Sequence, residues 1–516
     1  MRKLIQVLVS FAFILCSVNS AKILGVFHMP AYSHYQLGDR LLKELAARGH
    51  EVTVITPYAE KNPVKNFKQI VLTGAIEKLQ PMKDKLFEQT ESTVIKSLVW
   101  LEVMGLELVD STLSHPNVQE FLKSNNQFDL VILHQFVNDA FKGFCHYYNA
   151  PCVVLSPMAV PCWTHAQIAN PDSPAYFPDM YSDPAFDTSF TQRFLNSLLY
   201  VGIRLFNHLY AIPRQNEVMH KYFPNAPHLN ELYYNTSLIL VNSHISINSA
   251  VPYLPNVIDI GGYHVKTPKK LPIDLQEYLD GAKDGVVLFS LGSNLQSKNL
   301  PKEKRESILK AFSKLKQKVL WKWEDETLPN QPPNVKLSKW LPQSDVIAHP
   351  NIKLLITHGG LLSTTEAVYH GVPIIGIPIF ADQEKNIALA EKSGYAILVP
   401  YKQLTEEGLS HALSEVINNP KYRANVKWRS EIMHDEPIKQ LDKAVFWTEY
   451  VIKHKGAHHL RSAALSLSWY QYLLLDVIAV VILIIFVPLF VIIKGFKKYC
   501  CQKKSIKQVS TKKKKN

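Results

Sequence analysis

A chain of 516 residues, 47% hydrophobic and 20% charged, has material for more than one buried core, which excludes wholesale disorder. The net charge of +13 suggests a nucleic-acid binder at first sight, but ten of those charges are lysines between Lys494 and Asn516, where no acid occurs. The rest of the chain is close to neutral, so nucleic acid is excluded as a partner of the folded body.

From the N-terminus, Arg2 and Lys3 precede an apolar run from Leu4 to Cys16 and small residues around Ser20, the pattern of a secretory signal peptide over 1–20. Lys22 to Phe27 then reads as a buried strand and Met29 to Tyr35 as a loop. Leu37, Leu41, Leu42 and Leu45 mark one face of a helix that Gly49 ends, and Glu51 to Ile55 is the next strand. Strand, helix and strand in that order predict a right-handed parallel unit. Phe128 to Leu133 and Cys152 to Leu155 are further buried strands. The less regular stretches between Tyr58 and Asn125 and between Pro161 and Pro255 are predicted as helices and long loops around a variable apolar pocket. Within them, Phe194 to Ile212 is apolar and aromatic enough to touch a bilayer surface.

A second alternation begins at Gly285. Val286 to Ser290, Lys318 to Trp323, Ile352 to Thr357, Ile374 to Ile377 and Ala396 to Val399 are predicted strands with helical stretches between them. The fold class is therefore α/β, with two doubly wound Rossmann-like domains facing a cleft. The boundaries predicted are 21–270 for the first domain, 271–440 for the second and 441–468 for a return helix and juxtamembrane segment. Ligands in such sheets bind beyond the carboxyl ends of the strands.

Residues 469–493 form an apolar stretch long enough to span a bilayer, with Trp469, Tyr470 and Tyr472 at one edge and lysines beyond the other. The tail, 494–516, is then cytoplasmic and the body luminal. Asn235-Thr236-Ser237 is a glycosylation sequon suited to that side. Of six cysteines, only Cys145, Cys152 and Cys162 lie in the body, too few for a disulfide framework and without metal-ligand spacing.

The stretch Trp340 to Gln383 carries the chemistry. Thr357 ends a buried strand, Gly359-Gly360 permits a tight turn, and a helix starts near Leu361 with its amides free for a phosphate. His358 adds a hydrogen bond or a charge to the same group, Glu366 accepts from ribose hydroxyls, Trp340 offers a flat face to a base, and Asp382-Gln383 suit sugar hydroxyls.

These motifs resemble the signature of the UDP-glycosyltransferases, including the animal UDP-glucuronosyltransferases and the insect UDP-glucosyltransferases. The resemblance extends to Leu288 through Ser293, to Tyr32-Ser33-His34 with Arg48 through Thr53, and to His434 through Ala457. It implies a GT-B fold and inverting transfer of a hexosyl group, glucose in preference to glucuronate, from a UDP-sugar to a small lipophilic acceptor at the endoplasmic reticulum. Such a role belongs to detoxification, pigment or hormone handling. By position, His34, in the loop after the first strand, would be the general base, Trp340 would stack on uracil and Gln343 would contact the nucleoside. His358, Gly360 and Ser363 would hold the diphosphate, Glu366 the ribose, and Asp382 and Gln383 the sugar, while Ser290 and Gly292 would close the site. The family needs no metal, so no cofactor is expected; a homo-oligomer is compatible with the sequence.

Two positions depart from the family pattern. His134 stands where vertebrate members carry the aspartate that pairs with the base, and the expected partner of His34 is instead Asp139, as in insect members. Leu362 stands where some relatives have asparagine. A catalytically inactive membrane glycoprotein holding a lipophile in the same cleft is the alternative, and a carboxylate within hydrogen-bond reach of His34 is the feature expected to separate the two.

Overall fold

The computed structural model describes residues 20–91, 93–159, 161–182 and 187–512. The signal peptide expected over 1–20 falls, but for Ser20, outside the described residues, as do the last four residues, Lys513 to Asn516. The chain divides into two units, residues up to Arg461 and residues from Ser462 onward.

In the first unit, seven parallel strands form one sheet: β1 (Lys22–Val26), β2 (Glu51–Thr56), β3 (Phe67–Val71), β4 (Leu130–His134), β5 (Cys152–Ser156), β6 (Leu238–Val241) and β7 (Val257–Asp259), in the order β3-β2-β1-β4-β5-β6-β7. A second sheet of six contains β8 (Val286–Ser290), β9 (Lys318–Lys322), β10 (Val335–Ser338), β11 (Ile352–Thr357), β12 (Ile374–Gly376) and β13 (Ala396–Leu398), in the order β10-β9-β8-β11-β12-β13. Strands β1, β4, β5, β8, β11 and β12 are almost wholly buried, which explains their continuous Val/Ile/Leu runs.

Both sheets reverse direction beside their first strand, between β1 and β4 and between β8 and β11. At such a switch point the connections leave in opposite directions and open a crevice at the carboxyl ends. His34 follows β1 and His134 ends β4; Gly292 follows β8 and His358 follows β11.

The segment expected to be a loop up to Tyr35 is shorter. The helix Tyr32–Ala47 starts before His34 and places it in the first turn. The sequence hid this start because Ala31 caps the helix without a side-chain hydrogen bond. The predicted apolar face is confirmed: Leu37, Leu41, Leu42 and Leu45 are fully buried. Strands β3, β6, β7 and β10 had no sequence prediction. β3 and β10 are partly exposed edges without a clean apolar run, and β6 and β7 are only four and three residues long.

After the second sheet, the helix Gln440–Lys453 packs into the core of the first, burying Ala444, Val445 and Val451. Arg48 to Asp442 at 2.5 Å and Lys443 to Asp259 at 2.7 Å tie it down. Cys145, Cys152 and Cys162 are free and buried.

The second unit contains a four-residue helical turn, Trp469–Tyr472, and the helix Leu475–Lys512. Its stretch Leu475–Cys500, 26 residues, is long and apolar enough to cross a membrane. Asp476 lies in its first turn and Pro488 within it.

Candidate active site

Between the two sheets of the first unit lies a cleft of about 430 Å³. Its walls include His34 from one domain and His358, Gly360, Ser363 and Glu366 from the other. Ser290, Gly292, Trp340, Gln343, Asp382 and Gln383 line it as well. Asp139 alone among the predicted catalytic and donor-binding residues is absent from this lining.

Thr357 and Ser290 are register partners at the carboxyl ends of β11 and β8. Beyond Thr357 the chain turns through Gly359, with φ +86°, into the helix Leu361–Tyr369. Gly360 is the cap residue, so the first amides of that helix lack intrahelical acceptors and face the cleft mouth as a ready anion site. The His358 ring sits between two glycines. A Cβ on Gly292 would lie 2.6 Å from its Cε1, and one on Gly360 2.5 Å from its Nε2. Its Nδ1 is 3.3 Å from Thr357 Oγ1, which leaves Nε2 for the cleft. Burial, then the nearby Lys322 ammonium, lower its basicity to about 4, so the ring is neutral at physiological pH and has a hydrogen bond rather than a charge to offer.

Gln343 holds the next turn of the same helix. Its Nε2 donates to Ser363 Oγ at 3.0 Å and to Glu366 Oε2 at 2.7 Å. Burial pushes the Glu366 carboxyl up to about 7, against the Gln343 hydrogen bond. Gln383 Oε1 accepts from the amides of Ile379 and Phe380 at 2.9 and 3.1 Å, so only its Nε2 remains for a ligand. Asp382 Oδ2 accepts from Asn386 Nδ2 at 2.8 Å.

Trp340 is 56% exposed and meets the edge of Tyr32 from the other domain, ring centres 5.2 Å apart at 83°. Tyr32 was not assigned a role in the sequence. Neither was Lys322, which lines the cleft, bonds Glu324 at 2.7 Å and lies 5.9 Å from the Trp340 ring. The available signal was its place at the carboxyl end of a parallel strand.

His34 does not pair with Asp139. Its Nδ1 meets His134 Nε2 at 2.8 Å, the rings crossing at 67°. Asp139 opens a buried turn beyond β4 and accepts from Gln135 Nε2 at 3.0 Å. The reason is local. The last residue of β4 lies buried against the first turn of the helix after β1, where His34 sits, whereas the chain has turned away five residues later. The feature expected to separate enzyme from inactive binder is thus replaced by an imidazole. Burial, with a minor contribution from Lys83, lowers the His34 pKa to about 4, and burial holds His134 well below its ordinary value.

Asn235 is exposed, and its Oδ1 accepts from Arg461 Nη1 at 2.9 Å.

A family model described as UDP-glucoronosyl and UDP-glucosyl transferase matches residues 21–515. The chain is 38% identical to UDP-glycosyltransferase UGT5 of Dactylopius coccus, covering 96% of this chain and 95% of that one. It is 38% identical to UDP-glucosyltransferase 2 of the same insect, covering 92% of each. With UDP-glucuronosyltransferase 2B15 of Homo sapiens it shares 33% identity over 92% of each chain. Among solved structures it resembles CalG4, the calicheamicin glycosyltransferase, with a TM-score of 0.59 at 17% identity, covering 85% of this chain and 99% of that one. It also resembles the glycotransferase of kitacinnamycin, with a TM-score of 0.58 at 16% identity, covering 85% and 100%. At these identities the two structures speak to the GT-B fold alone.

Proposed function

Because this chain belongs to the UDP-glucoronosyl and UDP-glucosyl transferase family and is a glycosyltransferase, we propose that it moves a hexosyl group, glucose by preference, from a UDP-sugar to a hydroxyl of a small lipophilic acceptor, with His34 as general base. The observation that carries this reading is that His34 and the His358-Gly359-Gly360 turn, on different domains, line one cleft.

In the proposed reaction the acceptor hydroxyl gives its proton to His34 Nε2 as its oxygen attacks the anomeric carbon. The bond from that carbon to the β-phosphate oxygen breaks on the opposite face, so the configuration inverts. For Nε2 to accept, the His34 proton must sit on Nδ1 and be donated to His134 Nε2 across the 2.8 Å contact. His134 would hold the base in that tautomer, the part a carboxylate plays in a Ser-His-Asp triad, but without its charge.

The charge developing on UDP would be met by the amides opening Leu361–Tyr369 and by His358 Nε2, without a metal. Trp340 would face the base, Glu366 and Gln343 the nucleoside, Ser363 and Gly360 the phosphates, and Asp382 and Gln383 the hexose. Ser290 and Gly292 would complete the rim. Glucose is preferred because the relative named as a UDP-glucosyltransferase shares 38% identity and the human glucuronosyltransferase 33%. The body would lie in the lumen of the endoplasmic reticulum, anchored by Leu475–Cys500.

The test is transfer of labelled glucose or glucuronate to a panel of phenols and alcohols in microsomes carrying the chain, beside His34→Ala. Transfer of glucose by the wild type and its loss in the variant support the reading. A wild type that binds UDP yet transfers neither sugar would favour the inactive binder, whose supporting observation is the missing carboxylate at His34.

A further inference from the structure

A second chamber lies between the two domains of the first unit, about 530 Å³ in volume and so within the range of a small-molecule site. The helix Val94–Leu113 brings Trp100 and Leu101 to it from the first domain, and Tyr181 joins them from a later loop. The second domain supplies Phe380, Lys385 and Tyr401. None of the donor-binding residues assigned above lines it.

Apolar side chains of both domains lead from the base to this chamber. Phe380 and Ala381 line both the chamber and the cleft. Ala381 holds φ +58°, a conformation that a residue with a Cβ keeps only where its surroundings impose it, so the partition is fixed by packing. On the first domain, Trp100 and Leu101 pack on the same apolar cluster as Phe136. Phe136 lines the cleft, and its ring centre is 5.0 Å from that of His34.

The chamber also carries unused donors. Tyr181 Oη and Tyr401 Oη are shielded from water and have no hydrogen-bond partner among the described residues, an arrangement that costs stability until a partner arrives. Lys385 Nζ donates to the Pro178 carbonyl of the first domain, which uses one of its three protons. Burial lowers its pKa to about 8, against the pull of Asp179 and Asp382, so near neutral pH the ammonium is still mostly charged. Neither aspartate lines the chamber. Asp179 accepts from the Cys162 and Tyr181 amides at 3.4 and 3.3 Å, and Asp382 from Asn386. The charged side chains that do line it are Lys385, Lys402 and the exposed Glu384, a surplus of positive charge.

Building on the transfer reading above, we propose that this chamber receives the tail of the acceptor, and that the acceptor class it selects is an elongated lipophile ending in an anionic, oxygen-bearing group. Lys385 supplies the opposite charge, and Tyr181 and Tyr401 donate to the oxygens of the anion. Trp100 and Phe380 cover the apolar stem, while the hydroxyl at the other end of the molecule meets His34. Lys385 is then a specificity-determining residue in the first turn of the helix Gln383–Lys392, whose preceding residue, Asp382, lines the donor cleft.

The test uses the full chain in microsomes and whichever of UDP-glucose and UDP-glucuronate it transfers, at saturation. The acceptors are 4-alkylphenols of increasing chain length that end in a sulfonate, each beside its neutral methyl sulfone. A sulfonate cannot itself be glycosylated in place of the phenol by acyl transfer. The expected result is a chain length at which KM for the sulfonate is about tenfold or more below that for the sulfone, with kcat alike. Lys385→Met should erase that difference and leave the sulfone kinetics as they were, and Lys385→Arg should keep it. Because Lys385 neighbours donor-binding residues, each variant is checked for UDP binding. Should Lys385→Met fail that check, Tyr401→Phe decides, with a severalfold loss of the sulfonate preference expected. Transfer to the sulfones with no preference for the sulfonate at any length would overturn the inference and leave the transferase reading standing, as would a preference that survives in Lys385→Met or, where that variant fails, in Tyr401→Phe. Transfer to neither series would defeat both.

Discussion

The Nδ1 of His34 and the Nε2 of His134 lie 2.8 Å apart, so the candidate base is held by a second imidazole. An aspartate there would both fix the ring and stabilise its charged form. A neutral histidine does only the first. With His28 as the other imidazole near His134, ring centres 6.3 Å apart, burial keeps all three rings neutral near physiological pH. Removing the base and removing its holder should therefore differ. His34→Ala is expected to lower kcat by about 10²–10⁴-fold, the usual worth of a positioned base. His134→Ala should cost on the order of tenfold to a hundredfold, because the ring stays but its tautomer is no longer fixed. Both variants should bind UDP as the wild type does, measured by calorimetry. Equal losses in the two would show that His134 does more than orient.

The same pair sets a pH dependence. A base works only when deprotonated, and burial lowers His34 to about 4. With UDP-sugar saturating, kcat/KM for the acceptor should rise as pH passes upward through about 4 and be level near neutrality. His134→Asp places a negative charge against Nδ1, favours the imidazolium and moves that rise to higher pH. A pH series on both forms checks the direction; an acid limb that stays put or moves down in His134→Asp contradicts the assignment.

How far the sequence reached follows from where its signals were local. The carboxyl ends of β8 and β11 could be placed because Val286 to Phe289 and Leu354 to Ile356 are apolar runs followed within three residues by glycines. The residues after them then had to face a crevice. Asp139 was expected as the partner of His34 in place of His134 for a physical reason: the neighbours of His134 in sequence say that it lies at the end of a strand, not what ring lies against it. His34 is 100 residues away, and only the β1–β4 pairing brings the two rings together. The Tyr32–Trp340 contact between domains was invisible for the same reason. The edge strands β3 and β10 failed differently, since half-exposed strands lack the apolar run that identifies a central one.

The slot that holds His358 predicts a steric effect. Gly292, with φ +81°, and Gly360 leave no Cβ on either side of the ring. Gly360→Ala would bring a methyl group to 2.5 Å from Nε2 and force the imidazole aside. If Nε2–H meets a phosphate oxygen, the lost hydrogen bond to a charged group is worth about 1.5–3 kcal/mol, or roughly ten- to a hundredfold in affinity for UDP. Fluorescence or calorimetric titration with UDP measures it. An unchanged Kd would remove His358 from the diphosphate site.

Glu366 gives binding a pH dependence of opposite origin. Its carboxyl is buried and raised to about 7, so near neutrality it is only partly ionised. Ribose hydroxyls donating to it would favour the ionised form. Affinity should therefore increase as pH rises through about 7 and fall below it. The ligand to use is UDP-glucose, whose phosphates do not titrate in that range, so the trend belongs to the protein. Each unit by which binding lowers the Glu366 pKa corresponds to about tenfold in affinity between the acid and alkaline limits. Glu366→Gln keeps the side-chain shape but cannot ionise, and should bind UDP-glucose with the same weaker affinity from pH 6 to 8. If the variant keeps the wild-type slope, the proton belongs elsewhere and Glu366 does not receive the ribose.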